Sequence, residues 1–99
     1  MANRQKILER WEFPHWQKQG ITLVARSDAR ACVQRILNNG CRFYGYDAFR
    51  VDGESIQPFL EFSSDWSDKP VPSFEVIIGQ LASHPNKITH YEFVFEDRQ

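Results

Sequence analysis

The sequence of 99 residues has no long apolar run. A membrane-spanning helix needs about eighteen or more consecutive apolar residues, and no segment of the chain has that length. The N-terminal segment also has no apolar stretch that would form the core of a signal peptide. These absences predict a soluble, cytoplasmic protein that has no membrane as a partner.

Cysteine and histidine are scarce, with two and three residues respectively. None of them is paired at the spacing of roughly two to four residues that zinc sites use, so no metal site is expected. Cys32 falls within a predicted helix and Cys41 at the start of a predicted strand. In a reducing compartment such cysteines are typically buried thiols, and neither has an adjacent base that would make it a nucleophile.

Motifs for catalysis and cofactor binding are absent as well. The chain has neither a GxGxxG nucleotide-binding motif nor a P-loop. Its carboxylate pairs all fall on predicted turns or loops, where no pocket is implied. We therefore predict a protein that is not an enzyme and that needs no cofactor.

The chain does have enough apolar and aromatic residues, 41% and 14%, for one packed domain over residues 1–99. Its charges are unevenly distributed. Residues 1–42 hold eight basic and three acidic residues, whereas residues 43–99 hold four basic and ten acidic ones. Such asymmetry bears on association more than on fold. It is compatible with a solvated rim, and also with an acidic face that binds a basic partner.

Hydrophobic periodicity predicts an α+β fold, in which helices pack on an antiparallel sheet. The N-terminal helix contains Ile7, Leu8 and Trp11. The segment after Pro14 is predicted to continue as a short helical turn that Gly20 ends. The order after this helix is β-α-β-β-α-β, as in a ferredoxin-like or related fold. The predicted elements are a strand at 21–26, a helix at 27–40, strands at 41–51 and 54–62, a helix between Ser73 and His84, and a strand at 88–96.

The dipeptide Asp52-Gly53 predicts a type I′ hairpin between the two middle strands. With both residues in the turn, Val51 faces Glu54, and this pairing sets the register of the hairpin. Strict alternation then divides the aromatic residues between two faces. The predicted core face carries Phe43, Phe49 and Phe62, and the opposite face carries Tyr44, Tyr46 and Phe59.

Pro58 conflicts with a ferredoxin-like strand order. The third strand of that order is central, and proline has no N–H to donate to the ladder. A bulge at Pro58 would resolve the conflict, as would another strand order that places this residue at an edge. The sequence therefore predicts the fold class more firmly than the strand order.

The aromatic strand RFYGYDAF, residues 42–49, has a likeness to a base-stacking submotif of RNA-recognition modules, which also have the βαββαβ order. The strand at 21–26 offers no aromatic residue for a second stacking platform. The acidic residues nearby would repel phosphate. Nucleic acid is therefore not the expected partner. A ferredoxin-like regulatory module that binds a small ligand or RNA is the alternative function.

The helix DARACVQRILNNG, the strand FYGYDAFRV and the later Trp66 together resemble the polymorphic-toxin immunity proteins of immunity protein family forty. Members of that family follow a similar helix with a Gly-Gly-Asp-Val-Tyr strand and a later tryptophan. Gly45 and Asp47 match the second glycine and the aspartate of this pattern. Phe49 stands where the family has tyrosine, and Tyr44 where it has the first glycine.

The resemblance implies a bacterial immunity protein that binds and neutralises a cognate toxin made by the same cell or its neighbours. Such toxins are commonly nucleases, whose substrate channels are basic. An acidic face with aromatic anchors would suit such a channel, because opposite charge speeds association and aromatic side chains supply binding energy. The predicted partner-binding residues are Tyr44, Tyr46, Asp52, Glu54, Phe59, Glu61, Asp65, Trp66 and Asp68.

Two interpretations of the aromatic members remain open at this point. Tyr44, Tyr46 and Phe59 either contact the partner or are covered by the N-terminal segment. In the second case Trp11 and Trp16 would provide the cover. The toxin's chemistry and the oligomeric state do not follow from the sequence.

Overall fold

The structure, a computed structural model, describes residues 3–97. The elements in chain order are α1 (Arg4–Arg10), β1 (Trp16–Lys18), β2 (Ile21–Ala25), α2 (Arg26–Asn38), β3 (Arg42–Asp52), β4 (Ser55–Asp65), α3 (Phe74–Ser83) and β5 (His90–Glu96). The strands form an antiparallel sheet in the order β1-β2-β5-β3-β4. The predicted α+β class with an antiparallel sheet is confirmed.

The chain after α1 forms a hairpin instead of the predicted helical turn. β1 pairs with β2, and Trp16 lies opposite Leu23. Gln19 and Gly20 form the turn with φ values of 51° and 79°, as a type I′ turn requires at both central residues. Glutamine is not among the residues that usually signal this turn, and the sequence pattern therefore does not predict it.

The position of β4 differs from that in a ferredoxin-like order, which would place this strand in the centre of the sheet. β4 lies at the edge and has β3 as its neighbour. The conflict posed by Pro58 is thus resolved by strand order, the second of the two resolutions that the sequence suggests.

Backbone hydrogen bonds explain why Pro58 is tolerated. Thr89 N–H donates to the Phe49 carbonyl at 2.9 Å, and Val51 N–H donates to Thr89 Oγ1 at 2.9 Å, so these two β3 residues bond towards β5. Their partners on β4, Pro58 and Ile56, therefore point their backbone groups away from β3. The N–H that proline lacks would have faced the open edge, and the ladder loses no bond.

The β3–β4 turn lies one residue later than predicted. Its two residues are Gly53 and Glu54, because Asp52 pairs with Ser55. Gly53 has a φ of 59°, and glycine at the first turn position is typical of type II′. The predicted pairing of Val51 with Glu54 is therefore wrong.

A bulge at Tyr44 reverses the predicted alternation along β3. Phe43 pairs with Phe95 of β5 whereas Gly45 pairs with Val94, so Tyr44 is an extra residue between them. One extra residue moves every later side chain to the opposite face of the strand.

As a result Phe43, Tyr46 and Ala48 all lie in the core, with exposed fractions of 2%, 1% and 0%. The prediction that Tyr46 lies on the face away from the core is wrong. Phe49 is buried as predicted, but it lies on the opposite face from Ala48, since adjacent residues of a strand alternate.

A larger bulge interrupts β4 at 60–63. Asp47 is the single β3 residue opposite these four positions. The Ser63 hydroxyl accepts a hydrogen bond from Ala48 N–H at 3.1 Å and donates to the Phe59 carbonyl at 3.2 Å. A side-chain hydroxyl therefore takes the place of a direct ladder bond and closes the bulge.

The helices cover one face of the sheet. At the end of α1, Trp11 stacks on Phe95 with ring centroids 5.9 Å apart, so α1 covers β5 and leaves β3 to the other helices. The helix predicted between Ser73 and His84 is α3, and Ser73 is its N-cap, since its side chain accepts from Val76 N–H. The buried core consists of Ile7, Leu8, Phe13, Val24, Ala29, Cys32, Val33, Ile36, Cys41, Phe43, Tyr46, Ala48, Ile77, Leu81, Ile88, Tyr91, Phe93 and Phe95.

The β1–β2 hairpin covers part of the face opposite the helices. Leu23 and Phe49 are buried there, outside the main core. At the hairpin tip, Gln19 donates to the Glu54 carbonyl at 3.2 Å, and Lys18 Nζ lies 3.6 Å from the Glu54 carboxylate. The turns of the two hairpins therefore meet.

The edge position of Pro58 gives a first prediction. A Pro58→Thr substitution restores an N–H on the open edge of β4, and exposed edge donors promote pairing between molecules. We expect the free energy of unfolding to change by less than about 1 kcal/mol, while sedimentation velocity detects concentration-dependent dimers. Gln57→Thr is the matched control, because the backbone of this neighbour points towards β3. Equal association by both variants, or by neither, would contradict the role given to Pro58.

Candidate partner-binding surface

The predicted partner-binding residues do not lie on one face. Their positions divide into the core, the β3–β4 turn, and the region around and beyond the β4 bulge. Tyr46 is in the core, Asp52 and Glu54 are at the turn, and Tyr44, Phe59, Glu61, Asp65, Trp66 and Asp68 are in the third region.

Tyr46 is 1% exposed and does not reach the surface. Its hydroxyl donates to Gln80 of α3 at 3.1 Å and lies 3.4 Å from the Ser64 hydroxyl, which donates to it. Its ring makes edge contacts with Trp66 and Tyr91. Burial raises the pKa of this phenol, so it stays neutral. A buried ring neither stacks on a base nor contacts a partner, so Tyr46 is not part of the candidate surface.

Tyr44 and Phe59 are half-buried, and a basic side chain of the protein itself packs over each ring. The Arg42 guanidinium lies 5.2 Å from the centre of the Tyr44 ring. The Lys87 ammonium lies 4.7 Å from the centre of the Phe59 ring. Of the two interpretations left open by the sequence, cover by the N-terminal segment does not hold for these two rings, because Trp11 stacks on Phe95 and Trp16 lies against His90.

The turn acids are remote from the other predicted residues. Asp52 and Glu54 are exposed at one end of β4, and Asp65 ends the strand at the other. Glu54 lies 3.6 Å from Lys18 Nζ of the β1–β2 hairpin. These turn acids therefore do not form one patch with the acids near Asp65.

The acids at the far end of β4 are exposed, and within residues 3–97 Glu61, Asp65 and Asp68 make no ion pair. Asp65 Oδ1 accepts a hydrogen bond from Ser67 N–H at 2.9 Å. This hydrogen bond lowers the pKa of Asp65, so its carboxylate stays ionised at neutral pH. Lys69 offsets part of the Asp65 charge, and the three exposed side chains give this part of the surface a negative charge.

Leu60 is a surface feature that the sequence does not reveal. It is 81% exposed, the highest fraction among the large apolar side chains of residues 3–97. The alternation predicts it opposite Gly45 on the core face, but Phe59 pairs with Ala48 of the core, so Leu60, the next residue, lies on the opposite face where the bulge begins. A bulge of this size has no marker in the sequence FLEFSS.

Trp66 follows the last residue of β4 and is half-buried. Its backbone N–H donates to the Tyr44 carbonyl at 2.7 Å, and its ring lies 5.9 Å from both Phe43 and Tyr46. It holds the loop after β4 against the core. We refer to the following residues as the acidic end: Leu60, Glu61, Asp65, Trp66 and Asp68.

Other kinds of site find little support within residues 3–97. No group of three or more His, Cys, Asp or Glu side chains there is arranged to hold a metal ion. Cys32 and Cys41 are buried, free thiols as predicted, and burial raises the pKa of Cys32 to about 12. None of the helices in this part of the chain combines the length and the apolarity needed to cross a membrane.

The chain was compared with protein-family models, curated proteins and solved structures, and it matches none of them. The resemblance to immunity proteins therefore stays a prediction. Any functional conclusion depends on the geometry and charge of the acidic end.

Proposed function

We propose that this chain is a non-enzymatic protein-binding inhibitor, an immunity protein that neutralises a cognate bacterial toxin. One observation carries the proposal: an apolar side chain that is 81% exposed, Leu60, begins a segment, residues 60–68, that also holds three exposed carboxylates without ion pairs among residues 3–97. The combination suits a partner with an apolar pocket and a basic rim. A nuclease has such a rim where it binds phosphate.

The carboxylates set the rate and the selectivity of binding. The negative charge at Glu61, Asp65 and Asp68 attracts a basic partner during diffusion and raises the association rate, most strongly at low salt. It also disfavours acidic partners. Leu60 then contributes apolar area that is buried only in the complex.

The acidic end is held in place before binding. Ser63 closes the bulge that carries Leu60, and Trp66 fixes the following loop to the core. A surface that is already ordered loses less entropy on association. Pro58 also removes one edge donor beside the bulge, so the partner is engaged through side chains and not through an added strand.

The test reverses charge at the acidic end. We expect the double variant Glu61→Lys with Asp65→Lys to fold normally and to lower the association rate with the toxin by about tenfold or more at low salt. The toxin is sought as the small C-terminal domain encoded by an adjacent gene, and surface plasmon resonance measures the rate. Cell survival during toxin expression provides a second readout.

The matched control is Glu9→Lys with Asp52→Lys, which makes the same change in net charge at exposed positions away from the acidic end. It should bind the toxin almost normally. Full protection by the Glu61 and Asp65 variant would refute the proposed surface. A gel shift with single-stranded RNA at low salt, together with no effect on toxin, would instead favour the alternative regulatory module.

A further inference from the structure

A hollow of about 270 Å³ lies between the β1–β2 hairpin and β3. It is on the face of the sheet opposite the helices, and no residue of the acidic end lines it. Its size is near the lower limit of small-molecule sites, which begin at roughly 300 Å³. It has room for a ligand with one ring. The lining residues are Trp16, Gln17, Lys18, Leu23, Val51 and His90.

The walls of this hollow are largely apolar and aromatic. Leu23 is 1% exposed, and Val51 is half-buried beside it. The Trp16 ring stands edge-on to His90 at 5.7 Å and an angle of 79°, and it remains 52% exposed. An exposed indole beside buried aliphatic side chains is suited to pack against a flat ring.

Lys18 supplies a positive charge at the rim. Its ammonium lies 3.6 Å from the Glu54 carboxylate, whose side chain is 99% exposed. An ion pair with so exposed a partner is weak. The Lys18 ammonium is therefore available to an anion that enters the hollow.

His90 supplies a hydrogen-bond donor. Thr89 Oγ1 accepts from Val51 N–H and is hydrogen-bonded to His90 Nδ1 at 2.8 Å. When the Thr89 hydroxyl donates this bond, the proton of the neutral imidazole is on Nε2, which makes no hydrogen bond within residues 3–97. Burial lowers the pKa of His90, which favours this neutral form.

We propose that the hollow binds a small aromatic carboxylate. The ring packs between Trp16 and the aliphatic floor, and the carboxylate accepts hydrogen bonds from Lys18 Nζ and His90 Nε2. A cation and a donor at one rim favour an anion, whereas the apolar walls favour a ring over a sugar or a free phosphate. This binding site is separate from the toxin-binding function and does not depend on it.

The test uses benzoate as the probe and NMR as the readout. The chain has three tryptophans, and their indole N–H signals report on three separate places. We expect benzoate to shift the Trp16 signal saturably, with a Kd on the order of 1 mM, while the Trp11 and Trp66 signals stay unchanged. Benzamide has the same ring without the charge and should bind at least about tenfold more weakly.

Two variants distinguish binding in the hollow from non-specific electrostatic attraction of anions to the protein. Lys18→Gln should weaken benzoate binding about tenfold, and Lys6→Gln, at an exposed position of α1, should leave it unchanged. An unaltered heteronuclear spectrum verifies the fold of each. The proposal is overturned if the Trp16 signal does not saturate, if benzamide matches benzoate, or if Lys18→Gln binds like the wild type. Toxin protection by Lys18→Gln should stay normal in every case, which keeps this test distinct from that of the acidic end.

Discussion

Replacing Gly45 by alanine is expected to lower the free energy of unfolding by about 4 kcal/mol. A Cβ at this position would overlap the Ser64 carbonyl oxygen and lie 3.1 Å from the Asp65 Cα. Both obstacles are backbone atoms of β4, so the strands would have to separate. Gly45 also has a φ of 147°, which residues with a side chain rarely adopt.

This loss is large compared with the whole stability of such a domain, which is about 5–15 kcal/mol. We expect the midpoint of thermal unfolding to fall by about 15 °C or more, measured by circular dichroism or calorimetry. Because Gly45 carries both the bulge of β3 and its contact with β4, the acidic end should lose order in the same variant.

Gly79→Ala is the matched control, since a Cβ at this helical position meets nothing within 4 Å. Alanine has a higher helix propensity than glycine, so this variant should be more stable by about 0.5–1 kcal/mol. A Gly45→Ala protein as stable as the wild type would contradict the close approach of β3 and β4. Opposite signs for the two substitutions are the expected result.

The parts of the fold that the sequence predicts well are those with local signals. The stripe of Val33 and Ile36 predicts α2, and Ser73 followed by apolar residues predicts α3. The alternation of Tyr91, Phe93 and Phe95 predicts β5, in which all three are buried. Each signal depends on a repeat within one element, which side-chain geometry imposes directly.

The faces of the β3–β4 hairpin could not be predicted, because bulges break the repeat on which the prediction rests. The extra residue Tyr44 and the bulge at 60–63 each shift the alternation by an odd number of residues. Glycine in a strand can signal a bulge, and Gly45 is the residue in the sequence that indicates the bulge of β3. The bulge in β4 has no comparable marker.

The same breaks explain the outcome at the candidate site. Alternation predicts Tyr46 on the surface and Leu60 on the core face, whereas Tyr46 is buried and Leu60 is exposed. The acids Glu61, Asp65 and Asp68 are exposed as predicted, because ionised side chains remain in water whichever face they start from. Charge is therefore a better guide to this surface than aromatic pattern.

Replacing Arg26 by alanine is expected to lower the free energy of unfolding by about 3 kcal/mol. Arg26 begins α2, and its guanidinium lies at the C-terminal end of α3. It donates to the carbonyls of Leu81, His84, Pro85 and Ile88 at 3.1, 2.6, 2.7 and 3.1 Å. The last carbonyls of a helix have no partner within the helix. A cation at this end also interacts favourably with the negative end of the helix dipole.

Lysine should not restore the loss at this position. One ammonium group replaces a planar fork of five N–H donors and cannot reach carbonyls on both sides of the loop. We expect Arg26→Lys to recover less than half of the stability lost in Arg26→Ala, as measured by urea unfolding. The exchange of the amide protons of α3 should accelerate in both variants, because α3 loses the link to α2.

Arg30→Ala is the matched control within the same helix. Arg30 is exposed and its guanidinium lies over the Phe74 ring at 5.2 Å, a contact worth about 1 kcal/mol or less at an exposed site. If Arg26→Ala were no more destabilising than Arg30→Ala, the four carbonyl contacts would not be holding α3 in place. A difference of about 2 kcal/mol or more between them would show that Arg26 joins α2, α3 and the strand that follows into one cooperative unit.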